Sequence, residues 1–304
     1  MKFSIIIPSW NNLSYLRICL DSIKKNSKYE HDINIHLNEG TDGSVEYLSK
    51  NGVKFSHSPQ NIGLCSGSNN AASLAETDYI IYSNDDMYFL PNWDFFFVEE
   101  LKKIKNNLYF FTGTSIGPLG CALTGGVEIE KLNDDELKNF DFNCGKTAEE
   151  FNETKLLSNY QNVKYFDHQG SHWAPCLMHK SVWNRIGGFS EEFDPGFASD
   201  TDLTMKLWKI GVRIFKGINN SRVYHFGSIT TRKKKGLIKN KGNRKFLLKW
   251  SISSDLFIKH YLRSNTIYDG PLKDNPTFNI KFLIRLIRCK IKFVLLKIIY
   301  FRSQ

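Results

Sequence analysis

The feature that most constrains this chain is an alternation running through its first 110 residues. Short apolar runs of strand length at 3–7, 33–37, 53–56, 79–82 and 108–111 are separated by helical patterns near 14–25, 43–50, 66–76 and 92–105. Such alternation argues for βαβ units around a largely parallel sheet, an α/β fold with helices on both faces. Ligands of such sheets bind beyond the carboxyl ends of the strands, so chemistry is expected in the segments that follow each strand. At 304 residues the chain can bury a sizeable core without staples. Its six cysteines, Cys19, Cys65, Cys121, Cys144, Cys176 and Cys289, show no paired spacing. They read as reduced, partly buried thiols of a cytoplasmic protein, which sets aside a disulfide scaffold or a zinc ribbon. The apolar start is too short for a secretory signal and reads as the first strand.

Farther along, residues 128–160 are polar and acidic without a clean period and read as an insertion or flexible loop. A second compact part resumes near Tyr165, with helix signals at Lys180 to Ile186 and Asp200 to Ile210. Charge is unevenly placed. The chain carries +10 overall, yet residues 229–304 hold 19 Lys/Arg against 3 acids, while the rest hold 22 against 28. A basic tail of this kind suits a polyanionic partner, either nucleic acid or an anionic lipid surface. Its final stretch, 280–301, interleaves aliphatic residues with Lys281, Arg285, Arg288 and Lys292 on one side of a helix and Lys290 and Lys297 on the other. That pattern is too charged to span a bilayer comfortably, and it alternates charge with long aliphatic stretches rather than with base-stacking aromatics. It predicts a helix lying in the plane of a membrane, with a helix docked on the protein body as the alternative.

Three constellations carry chemistry. After the fourth strand comes Ser83-Asn84-Asp85-Asp86, where adjacent acids repel unless a cation or donor array offsets them. Hard oxygen ligands suit Mg²⁺ or Mn²⁺, but Asn and Asp also make turns and caps, and both readings stay open. The second is Ser199-Asp200-Thr201-Asp202 before an amphipathic run, where Asp200 or Thr201 could simply cap a helix. The third is His225 after a strand-like stretch.

Taken together, the pieces resemble a known family. Ile5-Ile6-Ile7-Pro8-Ser9-Trp10-Asn11, Asn38-Glu39-Gly40-Thr41-Asp42-Gly43-Ser44, Asn61-Ile62-Gly63 with Gly67 and Asn70, Asn84-Asp85-Asp86, Gly187-Gly188-Phe189, Ser199-Asp200-Thr201-Asp202 and His225 occur in order. That order is similar to the family 2 glycosyltransferases of the GT-A fold, over residues 3 to about 228. The resemblance implies a Rossmann-like nucleotide-binding sheet over 1–112, an acceptor half over 113–228, and a basic, partly helical extension over 229–304. It implies a nucleotide-sugar site of Pro8, Trp10, Asn38, Asn61, Gly63, Asn70 and Asp85. Asp86 and His225 would hold a divalent cation, Mn²⁺ or Mg²⁺. Asp200 would be the catalytic base, with Trp173, Ser199 and Asp202 on the acceptor side. Arg232 and the lysines after it could reach back to the diphosphate. The sequence departs from the family pattern at Asn38, Asn84 and Ser199, each standing where an acid is usual.

The expectation is an inverting transferase that moves a sugar from a nucleoside-diphosphate donor to a glycan or lipid-linked acceptor of cell-surface polysaccharide or lipooligosaccharide type. It would work at the cytoplasmic face of a membrane, without nucleic acid as a partner. The competing expectation is a nucleotide-sugar binding protein without catalysis. No Gly-x-Ser-x-Gly elbow or Walker-type loop points elsewhere.

Overall fold

The computed structural model describes residues 1–118, 144–162, 166–227, 239–276 and 278–302. Arg232 and the lysines after it, together with Cys121, lie outside these residues. The alternation of the first third becomes four parallel strands, β1 (Ser4–Trp10), β2 (Asp32–Asn38), β3 (Lys54–Ser58) and β4 (Tyr79–Tyr82), in the order β3-β2-β1-β4. They are joined through helices α1 (Leu13–Asn26), α2 (Ser44–Lys50) and α3 (Leu64–Ser73). Being sandwiched between β2 and β4, β1 pairs Ile5 with both Ile33 and Ile81, and Ile5, Ile6 and Ile7 are wholly buried. A strand covered on both faces needs such an unbroken apolar run.

Beyond β4 the sheet is mixed rather than parallel. Only residues 83–86 separate β4 from β5 (Met87–Phe89). A link that short cannot make a parallel crossover. Instead β5 pairs antiparallel with β9 (Ile214–His225), and β8 (Cys176–His179) runs antiparallel between β4 and β6 (Tyr109–Ile116). The order of the whole is β3-β2-β1-β4-β8-β6-β9-β5, with β7 (His168–Gln169) on β9. The parallel β6–β9 register jumps from Gly113 opposite Ile218 to Thr114 opposite Arg222. Bulges of this kind bend a strand and strengthen its twist. Helices α4 (Trp93–Leu101), α5 (Glu153–Asn159), α6 (Lys180–Ile186) and α7 (Ser199–Lys209) complete this part. The polar stretch expected as a loose insertion is packed where it is described. Tyr88 donates to Glu153 at 2.5 Å, Tyr224 donates to the Gly145 carbonyl at 2.7 Å, and Leu156 is wholly buried.

The C-terminal region divides. Helix α8 (Lys239–Trp250) and the helical stretch Ser254–Leu256 continuing as a π turn over Phe257–Tyr261 bury Phe246, Leu247, Leu256, Phe257 and Leu262 in the same core as the sheet. Asp202 is the anchor: its fully buried carboxylate accepts from Trp250 Nε1 at 2.7 Å and pairs with Lys249 at 3.0 Å. Helix α9 (Ile280–Arg302) then lies against this layer along one stripe. Replacing one partner strands the buried groups of the other. Asp202→Ala is therefore expected to lower unfolding free energy by about 2–4 kcal/mol in urea titration. A change within experimental error would mean the carboxylate does not hold α8 down.

Candidate active site

The short link after β4 carries the first two acids. Asp85 and Asp86 are both nearly buried. Ser9, at the end of β1, donates its hydroxyl to Asp85 Oδ2 at 2.6 Å. Burial, then the neighbouring charge of Asp86, pushes the Asp85 carboxyl up to about 7 despite that bond. The antiparallel register sets Met87 opposite His225, and the Asp86 carbonyl accepts from Phe226 N at 3.1 Å. The consequence is that His225 Nε2 stands 3.1 Å from Asp86 Oδ1. One carboxylate oxygen and one imidazole nitrogen suit a divalent cation that fills its other positions with phosphate oxygens and water. Among the described residues, no three His, Cys, Asp or Glu side chains form a ready-made centre.

Asp200 approaches from the other half. It is the second residue of α7, but the cap position belongs to Ala198, which enters the helix with a left-handed φ of 65° and no side-chain cap bond. Asp200 is thus not the cap that a local reading allows. Among the described residues its carboxylate accepts no hydrogen bond, and burial pushes it up to about 7 while it keeps partial contact with solvent. The buried Tyr82 phenol at the end of β4 links the two regions. It is raised chiefly by burial, and the charges of both Asp200 and Asp86 add to that rise. Two carboxylates more than a hundred positions apart in sequence therefore act on one side chain.

The remaining expected residues divide by what they touch. Trp10 ends β1 opposite Asn38 and stays partly exposed. Pro8 is buried beneath α3, where a Cβ on Gly67 would lie 3.4 Å from it. Asn38 is turned inward: its amide oxygen accepts from Ile62 N at 2.8 Å, so it pins the 59–63 loop rather than offering that oxygen to a base. Asn61 accepts from Gly63 N at 2.9 Å, shaping the same loop. Gly63 is required there, since its φ is +100° and a Cβ would clash with the Asp194 carboxylate. Asn70 is exposed on α3, away from these contacts. Ser199 is committed to its own turn, donating to the Gly196 carbonyl at 2.6 Å. Asp202 serves α8 as described, which removes it from an acceptor role. Trp173 stacks on His168 at 5.5 Å, and its indole N–H has no partner among the described residues.

Two residues were not singled out by sequence reasoning. Asp194 caps α3, accepting from Cys65 N at 2.7 Å and from Ser66 Oγ at 2.6 Å. Its carboxylate thus occupies a helix end that an anion would otherwise favour. Asn69, beside the expected Asn70, makes a two-way bond with the Phe189 backbone at 2.9 and 3.0 Å. Asn69 lies between the noticed Gly67 and Asn70, whereas Asp194 falls between two noticed motifs and carried no local signal.

A parallel half-sheet with paired acids after its fourth strand, joined to a mixed half, defines a GT-A type fold. Known proteins agree. Residues 4–122 match the sequence profile of Glycosyl transferase family 2. The chain is 25% identical over 247 residues to a hyaluronan synthase of Pasteurella multocida, covering 78% of this chain and 22% of that protein. It is 23% identical over 233 residues to a chondroitin synthase of the same species, covering 73% and 20%. The chain thus spans about a fifth of the length of these relatives. Among solved structures, S. aureus TarS 1-349 in complex with UDP-GlcNAc superposes with a TM-score of 0.55 at 13% identity, over 97% of this chain and 81% of that one. GalNAc-T7 with UDP, GalNAc and Mn²⁺ superposes with a TM-score of 0.51 at 17% identity, over 74% and 44%. The likeness to glycosyl transferase family 2 thus rests on residues 4–122, the part that carries the parallel half of the sheet.

The raised Asp200 carboxyl has a consequence for stability. Between its ordinary value of 3.8 and about 7, the folded state holds a proton that the unfolded chain has released, so stability falls as pH rises through that window. Asp200→Asn cannot ionise. It is expected to be more stable than the parent by about 1–2 kcal/mol at pH ~8 and equal to it near pH ~3 in chemical denaturation. Equal stability at both would contradict the burial assigned to this acid.

Proposed function

We propose that this chain transfers a sugar from a uridine-diphosphate donor to a hydroxyl of a glycan or lipid-linked acceptor, by single displacement with inversion at the anomeric carbon. The observation that carries the reading is the Asp86–His225 pair at 3.1 Å, supported by the charges of Asp86 and Asp200 both acting on the buried Tyr82 phenol. The UDP and UDP-GlcNAc of the solved TarS complexes support the donor class, and the synthase relatives support a growing glycan as acceptor.

Each side chain has a distinct task in this reading. Asp86 and His225 would hold Mn²⁺ or Mg²⁺, which when bound offsets the negative charge that develops on the departing diphosphate. Asp85, steadied by Ser9, would accept from a ribose or sugar hydroxyl. Trp10 would offer its face to the base. Asp200 would take the proton of the incoming hydroxyl as the new bond forms, on the face opposite the departing group. A carboxylate with an ordinary pKa is a weak base for a hydroxyl; raising it toward 7 improves proton acceptance while leaving about half of it ionised at neutral pH. The five described cysteines are buried free thiols, which suits a cytoplasmic setting.

Asp200→Asn should leave UDP-sugar binding within about twofold and lower transfer by about 10²–10⁴-fold. Binding is read by calorimetry and turnover by UDP release; full activity would remove Asp200 as base. In the parent, kcat/KM should fall about tenfold per unit as pH drops below about 7, the value set by burial. Asp86→Ala should abolish the Mn²⁺ dependence of UDP binding, and unchanged metal titration would defeat the metal role. Donor binding with neither transfer nor slow donor hydrolysis would identify a binding protein instead.

A further inference from the structure

Helix α9 shows two apolar faces, only one of which the protein uses. Phe282, Leu286, Cys289, Phe293 and Leu296 recur at spacings of four and three and pack against the body. Phe282 meets the rings of His260 and Tyr261, and Cys289 Sγ accepts from Ser253 N at 3.1 Å. At 3.6 residues per turn, a second stripe of Ile284, Ile287, Ile291, Val294, Leu295 and Ile298 lies roughly opposite. All six are exposed, Ile287 by 50% and Ile291 by 55%. Ten of the thirteen exposed large hydrophobic residues among those described fall within 278–299. The helix has 23 residues, so this face runs for about 35 Å. Patches so concentrated mark a surface built for a partner.

The charges around the stripe identify the partner. Within 280–302 there are seven Lys/Arg and no acid. Lys281, Arg285, Arg288 and Lys292 border the exposed stripe on one side, and Lys290 and Lys297 border the docked one on the other. Lys290 reaches the Ser251 carbonyl at 2.9 Å, and Lys297 lies over the Phe293 ring. From the neighbouring layer Asp255 stands 3.7 Å from Arg285 while also pairing with Lys259, so little of this charge is cancelled. A second copy would set one basic face against another. Nucleic acid would leave the aliphatic stripe in water. No helix among the described residues is long and apolar enough to cross a membrane. We propose that the exposed face of α9 lies on an anionic bilayer surface, with its aliphatic stripe among the acyl chains and its basic rows at the headgroups. Such helices combine apolar burial with attraction to anionic lipid. The contact would hold the body, through α8 and Asp202, at the surface where a lipid-linked acceptor would present its glycan.

The test uses the full chain and co-sedimentation with vesicles. The parent should bind vesicles of phosphatidylglycerol and phosphatidylcholine, bind phosphatidylcholine alone far less, and be released by salt. Ile287→Glu with Ile291→Glu alters only exposed positions and should keep the melting temperature while lowering vesicle binding by about 10- to 100-fold. Arg288→Gln with Lys292→Gln should lower it by about 20-fold on the anionic vesicles. Asp200→Asn should bind as the parent does, which keeps this outcome independent of the catalytic reading. The proposal is overturned if the parent ignores anionic vesicles or if the double glutamate variant binds as the parent does. A concentration-dependent dimer, or salt-sensitive RNA binding with no vesicle binding, would overturn it in favour of another partner.

Discussion

Four residues between β4 and β5 govern the functional end of this molecule. They are too few for a crossover helix, so β5 leaves the parallel half and pairs antiparallel with β9, the last strand of the sheet. That pairing brings His225 to Asp86 across 139 positions of sequence. The same short link carries Asp85 to the end of β1, where Ser9 meets it. Strand pairing, rather than any local preference of the acidic residues, assembles the site.

The carboxylates of this protein fall into two physical groups. Asp94, Asp194 and Asp202 are saturated with donors. Asp94 is held below its usual range despite burial, because His31 and the Lys28 and Tyr29 backbone N–H groups bond to it. Asp194 caps a helix, and Asp202 ties α8 to α7. Asp85 and Asp200 have few or no donors and are pushed up to about 7. Buried carboxyl groups left short of donors cost stability, and such perturbed groups cluster where chemistry needs them. The contrast separates acids that hold the fold from acids suited to act on a ligand.

Much of the first half was legible because period and strand length determine it. The runs at 33–37 and 79–82 fall within β2 and β4, the run at 3–7 overlaps β1, and the helical patterns at 14–25 and 43–50 match α1 and α2. The mixed second half was not legible, since antiparallel pairing of β5, β8 and β9 depends on long-range register. The choice of Asp85, Asp86, Asp200 and His225 as candidate site residues came from a resemblance spread over several motifs; spacing alone leaves the acids plausible turns or caps and the histidine a structural one. Asn38 and Asp202 were misplaced for one reason: a polar residue beside a site looks alike in sequence whether it faces the ligand or braces a loop. Asp194 escaped notice because its partner helix begins 130 positions earlier.

Inversion requires one base and one departing diphosphate on opposite faces of a single anomeric carbon. The most direct test is the anomeric configuration of the product made from an α-linked UDP-sugar, read from proton NMR couplings. A β-linked product is the predicted result. An α-linked product would contradict direct displacement assisted by Asp200.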